Sequence, residues 1–145
     1  MSLHIEQRES EGIVILDIKG PLTLGHADLK LRDTLSALYR SGKVNIVLNL
    51  REVTEIDSTG LGTLVFGLAR LRKAGGRLAL ANLNPSHLKL FLLTRLAIAF
   101  EFFADEQEAI DSFFPDRALK HFDVLDFVRH EDDRHPNSGS NTEAV

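Results

Sequence analysis

The sequence predicts an α/β protein: a mixed, largely parallel sheet with an N-terminal hairpin and packed helices. Three observations carry this. Strand-like and helix-like segments alternate along the chain across short connections, one strand-length run is apolar almost throughout, and a strand–turn–strand pattern opens the chain.

The elements follow in order. Leu3 to Arg8 and the β-branched run Ile13 to Ile18 flank Glu9-Ser10-Glu11-Gly12, whose turn chemistry predicts a hairpin. After Gly20-Pro21, the residues Ala27, Leu31, Leu35 and Leu38 recur at helical spacing until Ser41-Gly42, where a glycine can take the left-handed cap conformation. Val44 to Leu50 is the apolar run, the pattern of a strand covered on both faces and therefore central. A loop is expected from Arg51 to Ile56. Asp57-Ser58-Thr59 then caps a second helix, with Leu61, Leu64, Val65, Leu68 and Leu71 as its stripe and Gly75-Gly76 as its end. Leu78 to Leu83 is the next strand, and Asn84-Pro85-Ser86 opens a helix through Leu96. Ala99 to Phe103 is the last strand, and Asp105 caps a final helix carrying Ala109, Ile110 and Phe113. Residues 1–114 are thus expected to form the domain, 115–129 an extension whose periodicity assigns it to neither helix nor strand, and 130–145 a polar tail without a core to bury.

Composition narrows the function. A chain of 145 residues that is 43% hydrophobic encloses one core and has little room for a second domain. The net charge of −4, with cations scattered rather than in a block, argues against nucleic acid as a partner. Cysteine is absent, which removes thiolate chemistry and cysteine-held zinc. The opening Met1-Ser2-Leu3-His4-Ile5-Glu6 has no secretion-signal pattern, and the most apolar stretch, Leu88 to Phe103, is broken by Lys89, Arg95 and Glu101. No membrane insertion is expected, and the expected compartment is the cytoplasm.

The informative stretch is Asp57-Ser58-Thr59-Gly60-Leu61-Gly62, which places a hydroxyl where a strand has handed over to a helix. First-turn N–H groups and the positive end of the helix favour a phosphate there. Phosphorylation would add about −1.5 to −2 charges and three acceptor oxygens on a surface that a partner could read.

With these residues, the preceding Ile46 to Leu50 strand and Gly75-Gly76, the chain resembles the STAS family of bacterial anti-sigma-factor antagonists from its opening hairpin to about Phe114. The resemblance implies a STAS-like sheet and a protein-binding switch. In that family, the serine after the aspartate is phosphorylated by an anti-sigma factor that is itself an ATP-using serine kinase. Ser58 occupies that place as phosphoacceptor. The unphosphorylated form would hold the anti-sigma factor and free a sigma factor, and a serine phosphatase would reset the phosphorylated one. Partner contacts are expected from Thr23, His26, Asp57, Thr59, Gly60, Leu61 and Gly62, with Thr59 a supporting hydroxyl. The switch surface is expected to comprise the turn Asp57 to Gly62 and the loop Leu22 to Ala27, with the turn Asn84-Pro85-Ser86 as a further candidate, all at the same end of a parallel sheet. One departure stands out: many antagonists carry Gly-Glu-Leu-Asp after the second strand, where an acid helps the kinase contact, while this chain has Gly20-Pro21-Leu22-Thr23.

Other chemistries fit less well. Gly60, Gly62 and Gly67 do not make a dinucleotide loop, because Val65 stands where the third glycine belongs and no Walker lysine follows. Ser58 lacks the Gly-x-Ser-x-Gly elbow, and only His26 is placed to serve it as a base. His4, His87, His121, His130 and His135 show no metal spacing. The chain is therefore expected to be no enzyme and to need no cofactor or metal. The rival reading is a STAS scaffold or transporter-associated subunit that binds its partner constitutively.

Overall fold

A computed structural model describes residues 2–117 of the chain. The elements run β1 (His4–Ser10), β2 (Ile13–Leu22), α1 (His26–Arg40), β3 (Asn45–Ile56), α2 (Ser58–Lys73), β4 (Arg77–Ala81), α3 (Pro85–Leu93), β5 (Glu101–Phe103) and α4 (Glu106–Asp111). The strands form one five-stranded sheet in sequence order, with β1 antiparallel to β2 and the other neighbours parallel. The run expected to be central is central: β3 lies between β2 and β4. The chain divides into two units, Met1–Ile110 and Asp111–Val145. Of the second, residues 111–117 are described; there Arg117 stacks on Phe114 at 4.5 Å and pairs with Asp111 at 3.3 Å. The expectations for 118–145 lie outside the described residues.

Strand alternation sends Val14, Leu16, Ile46, Leu48 and Leu80 to one face, where the leucine stripes of α1 (Leu31, Leu35, Leu38) and α2 (Leu61, Leu64, Leu68, Leu71) join them in a single buried cluster. Phe91 of α3, fully buried, closes that core through edge contacts with Phe100 and Phe102 at 5.4 and 5.2 Å. Each such side chain, fully buried, contributes roughly 1.5–3 kcal/mol. The stripes therefore fix how α1 and α2 lie on the sheet, and with it where α2 begins.

A polar chain crosses the opposite face. The Arg8 guanidinium donates to Asp17 Oδ2 and Oδ1 at 2.6 and 2.8 Å, and to Glu106 at 2.6 Å. Asn49 Nδ2 donates to Asp17 Oδ1 at 2.8 Å, and Asn82 Nδ2 to Asn49 Oδ1 at 2.9 Å. The chain ties β1, β2, β3 and the end of β4 to the start of α4.

The structure differs from the expectation at several boundaries. Arg51 to Ile56 is strand rather than loop, because β2 and β3 stay paired as far as Leu22↔Ile56 through two register shifts. Those shifts hide the period-two signal that would have revealed it. β2 likewise runs through Gly20-Pro21 to Leu22. β4 stops at Ala81, where Asn82 takes φ 60°, and α3 stops at Leu93, two residues before Arg95 at φ 62°. β5 begins at Glu101, and Phe113 lies beyond α4.

The Arg8 hydrogen bonds hold the Asp17 carboxyl below its ordinary range, against the opposing effect of partial burial and with help from Asn49. A depressed folded value stabilises the fold above the unfolded carboxylate value of about 3.9 and ceases to do so as pH falls through the folded value. In urea unfolding at a series of pH values, wild type should therefore exceed Asp17→Asn in stability at neutral pH and lose that advantage on acidification. A difference that does not change with pH would refute the ion-pair account.

Candidate functional site

β2 and β3 end together, Leu22 opposite Ile56, and the chain turns at Asp57 into α2. Asp57 caps the helix from an extended backbone (φ −109°, ψ −175°). Its two carboxylate oxygens do different things. Oδ1 accepts from Gly60 N at 2.8 Å within the first turn, and Oδ2 accepts from Leu24 N at 3.0 Å in the loop after β2. One side chain thus fastens the helix start to the neighbouring loop. Desolvation pushes the Asp57 carboxyl up, but N–H donors from Gly60, Leu24, Thr59 and Asp57 itself outweigh it and hold the group below its ordinary range.

Gly60 completes the junction. A Cβ at this position would lie 2.0 Å from the Leu22 carbonyl oxygen, so the first turn of α2 sits against the end of β2 as only glycine permits. Gly62, one residue past Leu61, is the opposite case: it is exposed, it is helical, and an added Cβ would meet nothing within 4 Å. A helix-interior glycine costs about 1 kcal/mol relative to alanine, and nothing inside the domain requires this one.

The expected site residues divide accordingly. Ser58 is the first residue of α2 and is exposed, and among the described residues its hydroxyl has no hydrogen-bond partner. Thr59 is half-buried, and its carbonyl accepts from Thr63 Oγ1 at 3.3 Å. Leu61 is 3% exposed and belongs to the core, so it positions the turn and cannot offer a surface. Thr23 is half-buried in the loop that Asp57 tethers, and His26 is the exposed first residue of α1 rather than a loop residue.

The turn Asn84-Pro85-Ser86 follows the C-terminal end of β4, the end of the parallel sheet expected for it. β4 stays paired with β3 only as far as Asn49↔Ala81, and Asn84 lines a cleft of about 650 Å³ with Arg51, Glu52, Val53 and Thr54. That cleft, and another of about 640 Å³ beside Asp17 and Asn49, contain no residue from 57–62. In the hydroxyl turn, Ser58 and Gly62 are exposed.

Leu24, within the loop Leu22 to Ala27 expected at this surface, is 75% exposed, and Leu29 is 54% exposed on α1. Leu29 escaped the sequence reading, although it was detectable as a leucine off the Ala27-Leu31-Leu35-Leu38 stripe.

A family model described as the STAS domain matches residues 4–109. The anti-sigma-B factor antagonist of Bacillus subtilis (strain 168) is 31% identical over 96 residues, 66% of this chain and 86% of that protein. A solved structure of the anti-sigma factor antagonist SpoIIAA in its unphosphorylated form matches with TM-score 0.62 at 25% identity, over 76% of this chain and 97% of that one. The Bacillus cell fate determinant SpoIIAA in its phosphorylated form matches with TM-score 0.61 at 26% identity, over 76% and 99%.

The two glycines of the turn should respond oppositely to the same substitution. Gly60→Ala must displace backbone and should cost about 2 kcal/mol or more, whereas Gly62→Ala should gain about 0.5–1 kcal/mol from helix propensity. Urea unfolding of both variants checks this, and a loss of stability in Gly62→Ala would contradict it.

Proposed function

The chain belongs to the STAS domain family, and from that premise we propose that it is an anti-sigma factor antagonist: a protein-binding switch, not an enzyme, controlled by phosphorylation of Ser58. In this reading the unphosphorylated protein holds a serine-kinase anti-sigma factor in the cytoplasm and so frees a sigma factor. Phosphorylation releases the kinase, and a serine phosphatase restores binding.

The observation that supports it best is the state of the Ser58 hydroxyl, exposed and unbonded on a turn that Asp57 and Gly60 hold in place. A nucleophilic serine would need a hydrogen-bonded base, and a structural one would be engaged in a cap. Here the neighbouring Asp57 performs the capping, which leaves Ser58 available to an outside enzyme. SpoIIAA has been solved in phosphorylated and unphosphorylated forms with one fold, which fits a switch that works by surface charge.

The physical effect of the phosphate follows from its surroundings. Asp57 already uses first-turn donors and supplies one negative charge, so a phosphoserine raises the local charge to about −3. The exposed Leu24, Leu29 and Gly62 would meet a partner across an apolar contact suited to exclude water, into which an added dianion is costly to bring.

The deciding experiment incubates the protein with ATP and the serine-kinase anti-sigma factors of its source organism, and locates phosphate by intact and peptide mass spectrometry. Phosphate on Ser58, absent in Ser58→Ala, is the expected result. Ser58→Asp should bind the same kinase about tenfold or more weakly, since a like charge in the contact costs at least about 1.4 kcal/mol. Stable binding with no phosphorylation, and no effect of Ser58→Asp, would return the constitutive-scaffold reading.

A further inference from the structure

Two arginines and two aromatic rings form a stack where α1 and α2 meet. Arg32 lies over the Phe66 ring at 4.5 Å; Arg70 lies over Tyr39 at 4.4 Å and over Phe66 at 5.2 Å. All four side chains belong to half-buried residues. Neither guanidinium has a hydrogen-bond acceptor or carboxylate partner among the described residues. A guanidinium stacked by its face keeps its in-plane N–H donors free. The stack therefore presents two cations whose stems are already ordered and whose donor edges are unused.

The surrounding charge is unusual for this chain. The protein carries a net −4, yet α2 contains no acidic residue and ends in Arg70, Arg72 and Lys73. The helix dipole accounts for cations near a C-terminus in general. It does not account for Arg70 reaching across to α1, nor for Arg32 on the neighbouring helix. Of the acids near Arg32 on α1, Asp28 is buried and accepts from Gly25 N at 2.8 Å, and the exposed Asp33 is the next residue, about 100° around the helix from Arg32, with no ion pair to it.

Placement connects the stack to the hydroxyl turn. Ser58, Gly62, Phe66 and Arg70 recur every four residues and so follow one ridge of α2, which winds about 40° at each step and brings Arg70 about 120° around the helix and about 18 Å along it from Ser58, on the flank that meets α1. A segment following this ridge from the exposed Ser58 would pass the exposed Gly62 and reach both guanidiniums.

We propose that Arg32 and Arg70, stacked on Phe66 and Tyr39 between α1 and α2, form a carboxylate-recognition subsite that receives an acidic segment of the protein partner docking at Ser58. The subsite rests on the reading of the Ser58 face as the docking face. Its recognition is by charge and planar hydrogen bonding: each guanidinium can take a carboxylate through two parallel N–H donors. The occupant is a Glu- or Asp-bearing protein segment, because two adjacent cations with unused donor edges complement carboxylates, on a flank where α2 itself supplies no acid.

A titration tests this without any kinase or phosphoryl transfer, so its outcome is separable from the fate of Ser58. An acetylated and amidated hexaglutamate peptide is added to the ¹⁵N-labelled full chain, with hexaglutamine as the neutral control. Saturable shifts should appear at the Arg32 and Arg70 Nε–H signals and at the amides of Phe66 and Tyr39, and should weaken with salt. The Arg32→Gln/Arg70→Gln variant should bind about tenfold more weakly, while the charge-matched Arg40→Gln/Lys89→Gln variant should change affinity less than about twofold. Unchanged amide shifts elsewhere show that both variants remain folded. Three results would overturn the proposal: no localised shifts, equal losses in both double variants, or the same shifts from inorganic phosphate with none from the peptide.

Discussion

The approach of α2 to the end of β2 is the constraint on which the rest of the surface depends. Leu22 O stands where a Cβ on residue 60 would be, so the helix can begin at Ser58 only because residue 60 has none. Asp57 secures the junction electrostatically, spending one carboxylate oxygen on the helix and the other on the loop. With Asp57 and Gly60 engaged in this way, Ser58 faces outward on fixed backbone, free of any role in holding the turn. Asp57 and Gly60 bear the structural demands of the first turn, and under the proposed switch the hydroxyl would change its chemistry without unsettling them.

The length of β3 serves the same end. Had it stopped with β4 at Asn49↔Ala81, the hydroxyl turn would lie beside the start of α3. By staying paired with β2 to Leu22↔Ile56, β3 carries the turn beyond the rest of the sheet. An extended strand of this kind needs support, and the core face and the Asp17–Asn49–Asn82 chain hold its first half from both sides. Helix α2 is pressed against α1 at Gly67, where a Cβ would come within 2.6 Å of Leu35. Close contact there also brings Phe66 and Arg70 against Arg32 and Tyr39, so the aromatic–arginine stack is a product of the same helix crossing.

The sequence made most of this legible where one force dominates. The stripes Leu31-Leu35-Leu38 and Leu61-Leu64-Leu68-Leu71 specified both long helices, the run Val44 to Leu50 specified the central strand, and Asp57 specified the start of α2. Bulges hid the extension of β3 through Arg51 to Ile56, because each inserted residue reverses the faces that a period-two reading assigns. Asn82 and Arg95 ended their elements through left-handed backbone, which their side chains do not announce as glycine would. The site was legible as a hydroxyl at a helix start. Its second half was not, since the tether to Leu24 and the pairing of Arg32 with Phe66 are contacts between distant segments that no local pattern records.

Charge on the docking face bears on which partner the protein would select. The family resemblance places an acid in the loop after β2 in many antagonists, where it helps the kinase contact; here that position is Thr23 and contributes no charge. Arg32 and Arg70 contribute two of the opposite sign on the flank where α1 and α2 meet. Specificity is a difference of affinities, and removing an attraction for basic groups while adding one for acidic groups shifts that difference twice in the same direction. A kinase that relied on the acids of a Gly-Glu-Leu-Asp loop would find no charge at Thr23 and would meet the two cations of the stack instead. A kinase with an acidic segment would gain at the stack and lose nothing at the loop. In the proposed switch, phosphate on Ser58 would act against either partner at the turn itself, so the stacked arginines would set which partner binds and the hydroxyl would set when.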